Sequence, residues 1–399
     1  MVSLEDRFFR TQNGNIYSNT IYDYSYWKGY LQLFDEVIIS ARVLEIGQEK
    51  LDKPQANGTG VSFSELPYYV GPFQYLRVYN KLGRTIKRSV QKADAFILRI
   101  PGPISTRLWH HLEKLGKPYG VEVIGDSADS VRTAGGNIIL RCLLKATAPK
   151  NQRKQCQNAV AAAYVSEFYL QQKYPPGYWS IHYSAVDLPN EAIITGSQLE
   201  QKIISFKDVV EGKRPLRICH AGTMEVAYKA QDILLEAVSI SRTKGLKIEL
   251  NLLGDGRLSK YYKSKVVELG IEKHVSFSGM LPAGDAVRKQ LDMADIFILP
   301  SLTEGLPSVI VEAMARGLPC IGSNVGAIPE LLPEKYLVKP GNAKELSEKI
   351  MSLITNTDEL ERMSSRNLEK AKEYCWSELN KRRIEFYKKV ADEAKNRKH

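Results

Sequence analysis

The feature that most constrains this chain is the segment ADIFILPSLTEGLPSVIVEAMARGLPCIGSNVGAIPELL, Ala294 to Leu332. It opens with an apolar run, Ile296 to Leu299, of the length and composition of a buried parallel strand. A Pro, Gly and Thr loop follows, carrying Glu304, and Ser308 then opens a helix that ends before Gly317. Val309, Ile310, Val311, Ala313, Met314 and Ala315 are expected to leave this helix no solvent face in its first two turns. Glu312 sits inside that run, and a buried carboxylate needs hydroxyl or cationic partners or it loses its charge. Glu304 lies at the carboxyl end of the strand, where open parallel sheets hold ligands. Separately, each glutamate has an ordinary reading: Glu312 salt-bridged to a neighbouring helix, Glu304 solvated. Together, joined by a Gly-Leu-Pro turn, they favour a site for a ligand with hydroxyls and phosphate.

The rest of the chain repeats the same alternation. At 399 residues it exceeds a single ordinary core. Strands are expected at Val37–Ile39, Ala95–Ile100, Tyr119–Ile124 and Ala159–Val165, with a helix at Thr106–Leu115. From about Asp187 to Arg214 the texture becomes polar, a connector that marks a domain boundary. A second α/β run starts at Pro215. Its strands are Leu216–Ala221, Lys247–Leu253, Val275–Ser278, Ile296–Leu299 and Cys320–Gly322, and helices alternate with them. The expected domains are 1–187 and 188–375, followed by a helix over 376–399.

Composition narrows the class. The 43% apolar and 25% charged residues are those of a globular protein, and no stretch has the roughly 18 apolar residues of a membrane span. The start, MVSLEDRFFR, lacks a signal-peptide core, so a cytoplasmic location is expected. Five scattered cysteines without a C-x-x-C read as reduced core thiols. The net charge of +11 asks for an anionic partner. Between Glu65 and Asp94 there is no acid, while Arg77, Lys81, Arg84, Lys87, Arg88 and Lys92 recur at helical spacing. Leu76, Tyr79, Ile86, Val90 and Ala93 are expected on the opposite, core-facing side. Such a helix suits an anionic membrane surface or a diphosphate-bearing acceptor, or is simply a solvated face. Nothing accompanies the charge that would point to nucleic acid.

The second half resembles retaining glycosyltransferases of family four, in the GT-B group. The matching pieces are HAGTMEVAYKAQDILLEA, LNLLGDG, VSFSGML and the Ala294–Leu332 segment with its paired glutamates. The first half is similar more loosely, through DYSYWKGYLQLFDEVIISARV and AAYVSEFYLQQKYPPG, with AVDLPNE at the hinge. The resemblance implies two Rossmann-like parallel-sheet domains with a cleft between them, the first binding the acceptor and the second the nucleotide sugar. It implies a final helix crossing back to the first domain. Glu312 would accept hydrogen bonds from ribose hydroxyls, and Glu304 would hold the donor sugar through its 3-hydroxyl. The N–H groups of Gly305, Leu306, Pro307-linked backbone and Ser308 would face sugar and phosphate. Lys229 would sit on the diphosphate. Gly222 and Thr223 would form the phosphate loop, and Gly254, Asp255, Met280 and Leu281 the nucleobase walls.

Two departures from that pattern stand out. Thr223 follows Gly222 where an arginine is expected, so the diphosphate site must be completed by backbone, by Thr223 or by another basic residue. The glycine-rich loop after the first strand is replaced by Asn13-Gly14-Asn15, which makes Asn15 a candidate sugar contact. Asp126, in Gly125-Asp126-Ser127, is either a sugar or acceptor contact or a helix cap. No metal site or nucleophile is expected, and no cofactor beyond a UDP- or GDP-linked sugar. The expected activity is retaining, metal-independent hexosyl transfer to a lipid-linked glycan of a bacterial surface polysaccharide, at the inner membrane face. The alternatives are a GT-B epimerase or hydrolase and a non-catalytic glycan-binding partner.

Overall fold

The computed structural model describes residues 1–133, 138–184, 186 and 188–396, with side chains omitted at 130, 132, 133 and 138–143. Asp187, expected at the domain boundary, and the side chain of Cys142 lie outside the described residues. The chain divides into two compact units, Met1–Tyr183 with Asn380–His399, and Ser184–Leu379.

The first unit contains β1 (Val2–Arg10), β2 (Ile16–Ser18), β3 (Val37–Glu45), β4 (Val61–Leu66), β5 (Ile97–Ile100), β6 (Gly120–Val123), β7 (Ala161–Tyr164) and β8 (Trp179–His182). They form one sheet in the order β4-β3-β1-β5-β6-β7-β8, parallel throughout except where β2 pairs antiparallel with the end of β1. β1 is the first strand expected ahead of Asn13-Gly14-Asn15, and Glu5-Asp6-Arg7 interrupts its apolar residues. The structure places a register irregularity there, between Ser3 and Arg7.

The second unit contains β9 (Leu216–Ala221), β10 (Ile248–Leu253), β11 (Val275–Gly279), β12 (Ile296–Leu299), β13 (Cys320–Ser323) and β14 (Leu337–Val338). Its order is β11-β10-β9-β12-β13-β14, parallel in every pair. Every residue of β12 and of β13 is buried, as a central strand covered on both faces requires. The polar connector expected before Arg214 is instead largely a helix, Gly196–Val210, whose Phe206 and Val209 are buried. Thr195 and Gln198 start it with a reciprocal capping box, a signal readable in sequence.

The helix Gly71–Ser89 carries the expected basic stripe, but its apolar face is divided. Leu82, Ile86 and Val90 enter the core, whereas Leu76 and Tyr79 are 58% and 48% exposed, beside Phe73 at 75%. Its fully buried residues lie only in its second half; in its first half Tyr75 and Val78 pack against the core while partly exposed. Its first turns also border a cavity.

A buried charge pair organises the other side of this sheet. Arg99 on β5 and Glu122 on β6 meet at 2.5 Å with almost no exposure. Tyr26 accepts from Arg99 at 2.7 Å, and Tyr183 donates to Glu122 at 2.7 Å. Tyr30, which also donates to Glu122, stacks on Tyr387 of the final helix Trp376–Asn396. Gly120 makes room for that helix, since a Cβ there would stand 2.5 Å from Val390 Cγ2. Removing one partner of such a pair leaves a buried charge uncompensated. Arg99→Leu is therefore expected to destabilise the first unit by about 3–5 kcal/mol in urea unfolding, and a change within error would show that the pair does not hold this side of the sheet together.

Candidate functional site

The order of the second sheet reverses at β9 and β12. Strands β10 and β11 follow β9 on one side, while β12, β13 and β14 lie on the other. The loops leaving the carboxyl ends of β9 and β12 consequently depart in opposite senses, and the crevice between such loops is where open α/β sheets bind ligands. The loop after β9 contains Gly222, Thr223 and Lys229. The loop after β12 contains Ser301 and Glu304.

These loops are held together by packing. Leu302 N–H donates to the Tyr228 carbonyl at 2.7 Å, tying one loop to the other. Gly222 leaves space for the Lys229 stem, which a Cβ would approach to 3.0 Å. Ala230, immediately after Lys229, has φ 53°, a left-handed conformation uncommon for alanine. It turns the chain from a short 3-10 segment, Ala227–Lys229, into the helix Gln231–Thr243. Gly326, with φ 55°, packs against the Glu304 carbonyl at a distance no side chain would permit.

Lys229 Nζ and Glu304 Oε1 are 2.7 Å apart, with side chains 12% and 8% exposed. Ser301 Oγ, fully buried, donates to the same oxygen at 2.6 Å. Ser301 was not singled out from the sequence, although its position three residues before Glu304 suits it to orient the carboxylate. The two residues predicted to hold sugar and diphosphate thus neutralise each other in the ligand-free protein.

The helix Ser308–Ala315 begins in the same loop. Pro307 is its N-cap and no side chain caps it, so first-turn N–H groups stay available to an anion. Ser308, Val309 and Glu312 share a partly open stripe, which corrects the expectation of a helix without a solvent face. Glu312 has no hydrogen-bond or salt-bridge partner among the described residues. Burial pushes its carboxyl up to about 7, with the Arg288 charge opposing the shift.

The nucleobase candidates lie along the same edge. Gly254 follows β10, and Met280 and Leu281 follow β11. Gly254 N–H donates to the Gly279 carbonyl, and Met224 N–H to the Asp255 carbonyl. At Gly254 a Cβ would collide with the Gly222 carbonyl, so the Gly254-Asp255-Gly256 turn wraps the β9 loop closely. The Asp255 carboxylate accepts from Ser259 Oγ and Gly256 N–H within its own turn. Thr223 Oγ1 likewise accepts from Glu225 N–H, so its hydroxyl shapes the loop. A cation that sequence reading missed stands beside this loop: Arg257 Nε donates to the Glu225 carbonyl at 2.6 Å.

The first-unit candidates are placed differently. Asp126 lies at the carboxyl end of β6 and accepts from Lys173, Tyr174, Tyr169 and the Ala128 N–H. Burial would raise its carboxyl, but Lys173, Tyr174 and Ala128 together hold it below the ordinary range. Its protein partners include a helix-start N–H, the capping alternative. Asn15 ends the turn of the β1–β2 hairpin, so the loop leads to an antiparallel strand and offers no helix N-terminus.

Comparison with known proteins agrees with this geometry. Residues 202–374 match the family model "Glycosyl transferases group 1". Protein CapJ of Staphylococcus aureus is 27% identical over 82% of this chain and 80% of its own length. The amylovoran biosynthesis glycosyltransferase AmsK of Erwinia amylovora is 31% identical, but the match covers 44% of this chain and 45% of AmsK. Among solved structures, Anabaena HepE in complex with UDP superposes with a TM-score of 0.63 at 15% identity, covering 96% of this chain and 99% of that one. Sucrose-phosphate synthase of Thermosynechococcus elongatus gives 0.65 at 14% identity, over 88% of each.

Glu312 generates a pH prediction for the ligand-free protein. Below about pH 4.5 its carboxyl is neutral folded and unfolded; between there and about 7 only the unfolded chain ionises. Its contribution therefore turns unfavourable as pH rises through that window, by at most about 3 kcal/mol. Glu312→Gln should gain stability over the parent between pH 5 and pH 8 in denaturant titrations. A pH-independent difference would show that Glu312 is well solvated.

The chain thus has the GT-B fold of two parallel-sheet α/β units, and its relatives support a group 1 glycosyltransferase.

Proposed function

We propose that this chain is a retaining glycosyltransferase that moves a hexose-type sugar from a nucleotide-sugar donor to a hydroxyl of a lipid-linked glycan in bacterial surface polysaccharide biosynthesis. The observation that carries the reading is the Lys229–Glu304 pair at the switch-point crevice, beside a helix without a side-chain cap and a Glu312 that has no partner among the described residues. Each group lacks what a nucleotide sugar supplies. Ribose hydroxyls would donate to Glu312 and stabilise its charged form, bonds worth roughly 1.5–3 kcal/mol each. Sugar hydroxyls would take over Glu304, releasing Lys229 to the diphosphate. The UDP bound by HepE makes UDP the first nucleotide to test.

In the transfer, the bond from the anomeric carbon to the phosphate oxygen breaks while the acceptor oxygen bonds to the same face. The departing phosphate oxygen takes the acceptor's proton. No protein nucleophile is required, and the chain's task is to position the reactants and stabilise the leaving diphosphate. Lys229, the Ser308 helix N-terminus and Arg257 would supply that stabilisation without a metal. Arg257 would stand in for the arginine missing beside Gly222.

The direct test is turnover of UDP- and GDP-sugars with and without a glycan acceptor, the products distinguishing transfer from hydrolysis or epimerisation. Glu304→Ala and Lys229→Ala should each lower kcat about 10²–10³-fold in the folded fraction, which is measured by circular dichroism because each change strands a buried charge. Unchanged function in Glu304→Ala would establish a scaffold instead. A nucleotide at about 100 times its Kd should add roughly 2.7 kcal/mol of stability, which selects among UDP, GDP and ADP in thermal shifts.

The lipid-linked acceptor places the enzyme at the inner face of the cell membrane. Among the described residues no helix is long and apolar enough to cross it. Peripheral docking would instead use the exposed Phe73 and the cations of Gly71–Ser89. Co-sedimentation with vesicles containing anionic lipid should fall as salt rises, whereas binding indifferent to lipid charge and salt would remove this part of the reading.

A further inference from the structure

The first sheet has its own reversal point, between β1 and β5. β1 pairs with β5 only through Val2 and Ser3, and the two then part at Glu5. A cavity of about 640 Å³ opens beside that parting, within the range that holds a drug-sized ligand. One wall is apolar: Tyr69, Tyr75, Leu76 and Tyr79, from the start of the helix Gly71–Ser89.

Two guanidinium groups line the same cavity. Arg107 lies 3.5 Å from the centre of the Tyr79 ring and donates through Nε to the Tyr75 hydroxyl. Its Nη2 is buried and has no hydrogen-bond partner. Arg42 donates to the carbonyls of Tyr69 and Glu5, while its buried Nε is unpartnered. The carboxylate facing them, Glu5, is already engaged by the Ile104 N–H at 2.5 Å. Burial raises its carboxyl to about 7, against the pull of Ile104 and Arg42, so it neutralises two guanidiniums poorly. An unsatisfied buried guanidinium nitrogen is costly and calls for an acceptor.

We infer that this cavity binds an anionic amphiphile, an apolar chain ending in phosphate, with the phosphate on Arg107 and the chain along Tyr75, Leu76 and Tyr79. The charge fits: the wall helix carries Arg77, Lys81, Arg84, Lys87 and Arg88 with no acid between Glu65 and Asp94. So does the exposed apolar surface of its first turns, which a wholly soluble sugar ligand would leave unused. This deepens the lipid-linked acceptor reading and rests on it for the biological identity of the occupant.

The test is calorimetric titration of the full chain with decyl phosphate below its micelle concentration, beside decyl maltoside and inorganic phosphate. Decyl phosphate should bind saturably, at least ~10-fold tighter than either control. Arg107→Gln and the surface change Leu76→Glu should each weaken it ~10-fold. Binding that is absent, equalled by decyl maltoside or by phosphate alone, or unchanged in both variants would overturn the inference. So would capture by anionic vesicles without any binding of decyl phosphate, which would assign the surface to the bilayer. A UDP thermal shift in the same samples separates the two readings. If it persists while decyl phosphate fails, only this inference falls; if it vanishes while decyl phosphate binds, the transferase reading falls.

Discussion

The reversal of strand order between β9 and β12 is the constraint on which the second unit depends. It brings two loops from opposite directions to one crevice, and there the cheapest way to bury Lys229 and Glu304 is against each other. In the interior a lone ammonium or carboxylate costs several kcal/mol, and the pair offsets much of that for both. The ligand-free site is thus stable because its two reactive charges are mutually satisfied. A ligand that carries both hydroxyls and phosphate can exchange this contact without leaving either charge bare. On the transferase reading, a ligand with only one of those features could not, and the ion pair would discriminate between ligand chemistries.

Glu312 follows different logic. It has no partner to exchange among the described residues, and burial raises its carboxyl; hydroxyl donors from a ligand would favour the charged form. Ligand binding would then be linked to proton release near neutrality, whereas the Lys229–Glu304 exchange conserves charge.

Legibility in the sequence tracked how local the determinant was. β12 was readable to the residue because a central parallel strand is a continuous apolar run bounded by loops, and β9, despite Arg217 and His220, because Pro215 and Gly222 bracket it. Glu312 drew attention because a charged residue in an apolar frame needs a reason, Glu304 because it lies at the carboxyl end of a buried strand, and Lys229 through the family resemblance alone. Less visible were features that depend on where the chain goes next. Leu76 and Tyr79 follow helical periodicity, yet they border a cavity, while Tyr75 and Val78 of the same turns pack against the core. Ser301 and Arg257 act through contacts at a loop end that no periodic pattern announces. The Asn13-Gly14-Asn15 turn looked like a weakened phosphate loop, but a hairpin partner follows where a helix would have to start.

The two units also show why one architecture gives two different sites. In each, the strand just beyond the reversal point, β5 or β12, runs into a helix whose N-terminus faces the crevice. In the first unit Glu5 from β1 occupies that N-terminus through the Ile104 N–H, and Gly102 permits the approach, since any Cβ there would strike the Glu5 side chain. A diphosphate could not use the same position without displacing a buried carboxyl. In the second unit the Ser308 helix is uncapped, and the nearest carboxylate, Glu304, is turned to Lys229. The helix dipole is therefore already satisfied by protein in one unit and open to a ligand in the other. On the transferase reading, that single difference, an occupied against an open helix start, would reserve the nucleotide for the second unit. Any anion held in the first must then rely on side-chain cations such as Arg107.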